Sequence, residues 1–283
     1  MGTQGSRLKN LIVTADDFGI SKEVNEAVET AHKSGILTAT SLMVGEPFAV
    51  DAVERARVLP TLGVGLHVAL SRAHPVSPLD QIPDLVDRDG LLRSGLVGAG
   101  FRFFFLPSVR RQLEVEITAQ FEAFTKTGLP LDHVNAHNHL HLHPTVLGLI
   151  LKIGRKFGMK SVRLPKDDNA KGLGSKFLSL WVGLMKSRLR QNGIRHNDVL
   201  LGLEQTGSLD TKFLISLIEG LSDQTAELMC HPATGPWAGM DLMARDFRHD
   251  LEFEALIDAT TVNAISDNGV RLITYKDIAD REI

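Results

Sequence analysis

The amino-acid sequence predicts a single-domain α/β protein with a (β/α) barrel-like fold of about seven parallel strands. Three observations predict it. Short apolar runs alternate with longer segments of helical periodicity from residue 11 to residue 274, and such alternation implies parallel βαβ units. The polar clusters Asp16-Asp17, His67, His137 to His143 and His231 each stand at or near the end of an apolar run, where the active sites of such sheets gather. No linker, short-period repeat or low-complexity tract divides the 283 residues. An open doubly wound sheet is the second architecture that the alternation allows.

In chain order, residues 1–8 read as a disordered tail, and 9–283 as the domain. Leu11 to Asp17 is a strand, a brief apolar run that ends in two acids. Ser21 is a helix N-cap, and Val24, Ala27, Val28 and Ala31 follow it at helical spacing up to Gly35. Ile36 to Val44 is the second strand, Pro47 to Val58 a helix, and Leu62 to Leu70 the third strand. Residues 71–106 break the rhythm with Pro75, Pro78, Pro83 and Asp89-Gly90, and read as an excursion over a site or partner surface. Ser108 to Thr127 is a long helix with Leu113, Ile117, Phe121 and Phe124 on one stripe. A histidine-rich strand follows, then a helix from Pro144 to Gly158 and a short strand from Ser161 to Leu164. Gly172 to Arg190 and Asp210 to Leu221 are helices. Ala226 to Cys230 is a strand, 233–246 a loop, Phe247 to Asn268 a single long helix, and Val270 to Thr274 the closing strand.

The composition is that of an ordinary globular chain, 43% hydrophobic and 23% charged. A net charge of −3 argues against a general nucleic-acid binder. The single cysteine, Cys230, rules out an internal disulfide and a cysteine-based zinc site. The N-terminus lacks the apolar core of a signal peptide, and no stretch is apolar for long enough to span a bilayer, so the cytoplasm is the expected compartment.

The chemistry concentrates in Leu131 to Pro144, which holds five of the 11 histidines. Packing alone does not call for them, because each buried ring must satisfy two nitrogens. Imidazole is the commonest metal ligand among side chains. Asp16-Asp17 is an adjacent carboxylate pair behind an apolar strand. Helix capping needs only one acid there, whereas metal-assisted hydrolysis uses one carboxylate as ligand and another as base. His67 follows Gly63 and Gly65, which let the backbone pack closely. His231 precedes Pro232 at a strand end and suits a general acid. Cys230 reads as a small apolar wall residue.

Four stretches together resemble the YdjC-like carbohydrate deacetylases, which include the chitooligosaccharide deacetylases. They are Thr14-Ala15-Asp16-Asp17-Phe18-Gly19-Ile20-Ser21, Gly65-Leu66-His67, the His133-to-His141 run and Cys230-His231-Pro232. They occur in the family's order and span nearly the whole chain. The resemblance implies a β/α barrel-like fold and a divalent metal (Mg2+, Zn2+ or Mn2+) held by Asp17, His67 and His137. It implies Asp16 as base and His231 as acid, with His139, His141 and Arg163 at the substrate. The segments 128–137, 142–148 and 162–165 look like the hopanoid-biosynthesis branch, and Asn135 stands where the family's sugar enzymes carry an acid. That branch implies an N-acetylglucosaminyl group on a glycosylated hopanoid lipid as substrate. Phe101 to Leu106 and Phe177 to Leu189, both flanked by basic residues, then read as faces for a membrane surface, the lipid or a second copy in a homodimer. The expected location is cytoplasmic, peripheral at the inner membrane.

Overall fold

The computed structural model describes residues 9–166, 173–240 and 246–280, so the expected tail lies outside the described residues. The strands are β1 Lys9–Phe18, β2 Ala39–Leu42, β3 Gly63–Val68, β4 Val134–Ala136, β5 Val199–Leu201, β6 Thr225–Cys230 and β7 Val270–Leu272. All pair in parallel, in the order β4-β3-β2-β1-β6-β5, with β7 against the start of β1. The sheet curls into a half-barrel surrounded by helices.

β1 is the spine, and Leu11 to Ala15 are all fully or almost fully buried. A parallel strand covered on both faces reads as an unbroken apolar run, as this one does. The helix α1 Lys22–Ser34 starts at Ser21, whose hydroxyl accepts from the Val24 amide at 3.1 Å. Its inner face is Val24, Ala27, Val28 and Ala31. The remaining helices are α2 Ala49–Arg57, α3 Leu96–Phe105, α4 Pro107–Lys126, α5 Pro144–Gly154, α6 Leu173–Gln191, α7 Thr211–Glu219, α8 His249–Ile257, α9 Ala259–Asp267 and α10 Tyr275–Ala279.

Three expectations change. The segment 161–164 is not a full strand: it meets its neighbours through single bridges, Val134 to Val162 and Ser161 to Arg195. The strand the sequence concealed is β5, only three residues long between Asn197-Asp198 and Gly202, too short to show a period of its own. The helix expected over 247–268 is two helices, because Asp258 leaves helical geometry and caps α9 by accepting from the Thr260 amide at 2.7 Å. The excursion over 71–106 contains α3 and is held down by α4. There the buried Glu116 carboxylate accepts from the amides of Val76 and Ser77 at 3.0 and 2.9 Å.

Between the two edges of the half-barrel lies a seam. Leu200 N–H donates to Lys166 C=O at 2.7 Å, and the Asn197 side chain bonds both the amide and the carbonyl of Leu164, at 2.7 and 2.9 Å. A side-chain amide here takes the place of a strand ladder.

Candidate metal centre and active site

On a regular strand Asp16 and Asp17 would face opposite ways. β1 is not regular there. Its register with β2 shifts between Ala15 and Phe18, and Asp17 adopts a left-handed φ of 65°. A non-glycine residue held so is strained, and such strain gathers at functional sites. The kink turns both carboxylates into one cavity of about 420 Å³, which His67, His137, His139 and His231 also line.

His67 ends β3 and His137 follows β4. Asp17 Oδ1 lies 3.2 Å from His67 Nε2 and 3.0 Å from His137 Nδ1. One donor atom from each of the three falls within 4.8 Å of the others. The turn after His137 bends through two further left-handed residues, Asn138 (φ 54°) and His139 (φ 52°). Burial alone would raise Asp17 and lower His137. Their mutual attraction reverses both, holding the carboxyl well below its usual range and the imidazole above its own.

Whether these donors suit a cation can be judged from Asn135. Its amide nitrogen donates to Asp16 Oδ1 at 3.0 Å and to Ser41 Oγ at 3.1 Å. Its amide oxygen therefore faces His67 Nδ1, at 2.6 Å, and requires a hydrogen there. In the neutral ring Nε2 is then a lone pair aimed at a carboxylate oxygen. Two acceptors so placed need a positive charge between them. One carboxylate and two imidazoles suit a divalent ion without selecting one.

Asp16 is 2% exposed. Ser41 Oγ donates to it at 2.5 Å, and Arg163 clamps both its oxygens at 2.5 and 2.9 Å. Burial would raise this carboxyl, but Arg163, with His67 behind it, holds it well below the carboxylate range. Arg163 also donates to Glu227 Oε1 at 3.0 and 2.8 Å. Thr14 and Tyr275 hydroxyls donate to the same Glu227. Arg163 is fully buried inside the barrel, and the structure sets it behind Asp16, where the cavity does not reach it.

Of the other expected residues, His139 lines the cavity, and burial with the nearby Arg163 charge pushes it down to about 3. His141 is wholly buried outside the cavity lining, its ring 5.9 Å from that of His139. His133 serves the wall: its Nδ1 meets Asp132 at 2.9 Å, its ring stacks on Tyr275 at 4.6 Å, and a Cβ on Gly65 would come within 2.5 Å of it. His231 ends β6, on the far side of β1 from His67 and His137, and its amide donates to Glu252 at 2.6 Å. Cys230 points away, toward the Thr14 carbonyl, and burial pushes its thiol up. The sequence reading missed Ser41, Glu227, Trp237, Phe247 and His249. Glu227, a lone acid within an apolar strand, carried a signal of a buried partner; His249, at a helix start, carried none.

A family model described as YdjC-like protein matches residues 10–267. The chain belongs to the YdjC-like family. This YdjC-like protein is 32% identical over 273 residues to a carbohydrate deacetylase of Geobacillus stearothermophilus, covering 94% of this chain and 96% of that one. It is 28% identical over 280 residues to a chitooligosaccharide deacetylase of Proteus mirabilis, covering 95% and 98%. A crystal structure from Enterococcus faecalis V583, provisionally described as a cellobiose-phosphate cleavage protein, superposes with a TM-score of 0.74 at 26% identity, over 96% of this chain and 99% of that one.

Proposed function

We propose that this YdjC-like protein is a metal-dependent N-deacetylase that removes acetyl from an N-acetylglucosaminyl group, carried on a glycosylated hopanoid lipid. The observation that carries the chemistry is the convergence of Asp17, His67 and His137, with the ionised Asp16 beside them and His231 on the other side of β1 in one cavity. Carbohydrate and chitooligosaccharide deacetylases among the relatives support the reaction class. A divalent ion held by those three residues supplies Lewis acidity toward a water and the acetamide carbonyl. Asp16 takes the proton of the attacking water, and His231 returns one to the leaving nitrogen. Acetate and a free amino sugar result. Arg163 keeps Asp16 ionised and oriented, and His139 borders the substrate.

For the lipid, the support is the resemblance of residues 128–137 and 142–148 together with an apolar surface beside the site. Phe101, Phe104 and Phe105 of α3 are 65%, 51% and 58% exposed, and Leu180 and Leu184 of α6 are 69% and 54% exposed. Both helices lean on the end of the histidine turn: Trp181 Nε1 donates to Leu142 C=O at 2.6 Å, and His143 Nε2 to Gly100 C=O at 3.0 Å. Exposed Arg110 and Arg111 flank α3, which suits peripheral docking on an anionic bilayer. Of the expected stretch 177–189, the side chains of 177–179 lie outside what is described. No helix among the described residues is long and apolar enough to cross a membrane.

The test is acetate release from N-acetylglucosaminyl lipid and from chitooligosaccharides, with and without chelator. Chelator-sensitive release, faster on the lipid, is expected; phosphate release or chelator-resistant turnover would overturn the reading. Cosedimentation with anionic vesicles, lost in Phe101→Ser/Phe105→Ser, tests the docking. A salt-stable dimer without vesicle binding would assign the face to a second copy instead.

A further inference from the structure

Glu227 is the third residue of β6 and is wholly buried. Each of its partners is a donor. Arg163 Nε and Nη2 reach Oε1 at 3.0 and 2.8 Å, the Thr14 hydroxyl reaches Oε1 at 2.8 Å, and the Tyr275 hydroxyl reaches Oε2. Tyr275 opens α10, where its amide and that of Lys276 donate to Asp132 at 3.3 and 2.8 Å. Its ring packs with Ile12, Ala39, Ile273 and Ile278 in a small apolar cluster apart from the main core. A chain of hydrogen bonds therefore runs from that cluster through Tyr275, Glu227 and Arg163 to Asp16.

At its far end the chain decides which oxygen of Asp16 is open. Oδ1 accepts from Ser41, Asn135 and Arg163 Nη2, at 2.5, 3.0 and 2.9 Å. Among the described residues, the hydrogen bond to Oδ2 comes from Arg163 Nη1, at 2.5 Å. A carboxylate oxygen offers about two lone pairs, so Oδ1 is full and Oδ2 has one to spare. Arg163 Nη2 is shared between Asp16 and Glu227, while Nε is held by Glu227. Glu227 thus grips one edge of the planar guanidinium as Asp16 receives the other.

We propose that Glu227, braced by Tyr275, is a positioning residue for the deacetylation: it fixes the Arg163 fork so that Asp16 Oδ2 is the oxygen left to take the proton of the attacking water. The proposal rests on the deacetylase reading for Asp16 as the base. The water's O–H bond breaks as its oxygen joins the acetamide carbon, and the proton passes to Oδ2. Without the second grip the guanidinium tilts on its flexible stem, and the open lone pair moves with it. A displacement of that kind costs up to about a hundredfold in rate.

Glu227→Met and Glu227→Gln separate aim from packing. Both are unbranched, and in either Arg163 keeps Asp16 as its counter-charge. The Gln oxygen accepts from Arg163 and Thr14 as before, and the Tyr275 hydroxyl turns to Asn197 Oδ1, 3.2 Å away. The assay is acetate release from N,N′-diacetylchitobiose at saturating Zn2+. In Glu227→Met, kcat is expected to fall about a hundredfold. In Glu227→Gln it should stay within about fivefold of the wild type, the scale of one hydrogen bond. KM and metal affinity should hold in both. Equal losses in the two variants, or KM and metal affinity moving in step with kcat, would overturn the proposal. Tyr275→Phe should cost about fivefold in kcat, and nothing further in the Glu227→Met background. Wild-type kcat in Tyr275→Phe would overturn the brace even if Glu227→Met failed to fold. One readout needs no turnover. Among the described residues Arg163 is the one buried arginine, so its Nε–H should be the last arginine signal in the NMR spectrum to exchange with deuterium. It should exchange faster in Tyr275→Phe, and an unchanged rate would again overturn the brace. Faster exchange there, with no acetate released by the wild type from any amino sugar, would sink the deacetylase reading and leave the hold of Glu227 on Arg163 standing.

Discussion

Asp16 accepts four hydrogen bonds from Ser41, Asn135 and Arg163, in a place almost closed to water. Arg163 in turn is fixed between two carboxylates, so its removal leaves both buried and unpaired. Arg163→Met is expected to destabilise the fold by about 3–5 kcal/mol in urea denaturation, the range for breaking a buried pair. Asp16→Asn should abolish turnover yet keep a bound metal by equilibrium dialysis; retained turnover would move the base elsewhere. The folded values of Asp16 and Asp17 both lie below the ordinary carboxylate value of about 4, so folding favours their ionised forms. The stabilisation is complete above that pH and is lost as the pH falls toward the lowered values. Acid titration followed by circular dichroism should therefore show a gentler fall in stability for Asp17→Asn. Asp16, Asp17, His67, His137 and His231 drew notice in the sequence because each breaks an apolar run, and the fold brings all five to one cavity. The depth of Arg163 was not legible there, since Val162-Arg163-Leu164 gives no hint that its charge faces Glu227 from the next strand but one.

The turn after β4 is the element on which the centre depends. It carries His137 and His139, and it is built through left-handed backbone at Asn138 and His139. Asn tolerates that region; a β-branched residue does not. Asn138→Val is expected to cost about 1–2 kcal/mol in stability and to weaken metal binding, since His137 shares the turn. Asn138→Gly should hold both within error, and equal losses in the two variants would deny the backbone its part. The same backbone explains why the alternating histidines do not share one face: β4 stops at Ala136 and the rings fan out, as a strand ending within the run leads one to expect, His137 and His139 into the cavity and His141 behind it. The helix break at Asp258 was hidden, because apolar residues continue at helical spacing on both sides of it.

At the scale of the molecule, the alternation of apolar and periodic segments was sufficient for the curled parallel sheet, because βαβ geometry leaves few other arrangements. It was insufficient for the edges, where pairing falls to single bridges. The three candidate donors, Asp17, His67 and His137, are brought together by β1, β3 and the β4 turn, all anchored in the core, so the group is assembled by folding. Chelation is expected to leave far-ultraviolet circular dichroism unchanged while lowering the melting temperature by the linkage of a lost ligand. Collapse of the spectrum would mean that metal completes the fold. The seam has a dynamic consequence of its own. Leu200, Arg195 and Leu164 amides are tied across it by one bond apiece, whereas β1 is laddered on both sides. Deuterium should therefore enter at those three positions long before it reaches Val13 or Ala15, so that the molecule breathes like a cuff along one stitched edge while the wall bearing the acids stays shut.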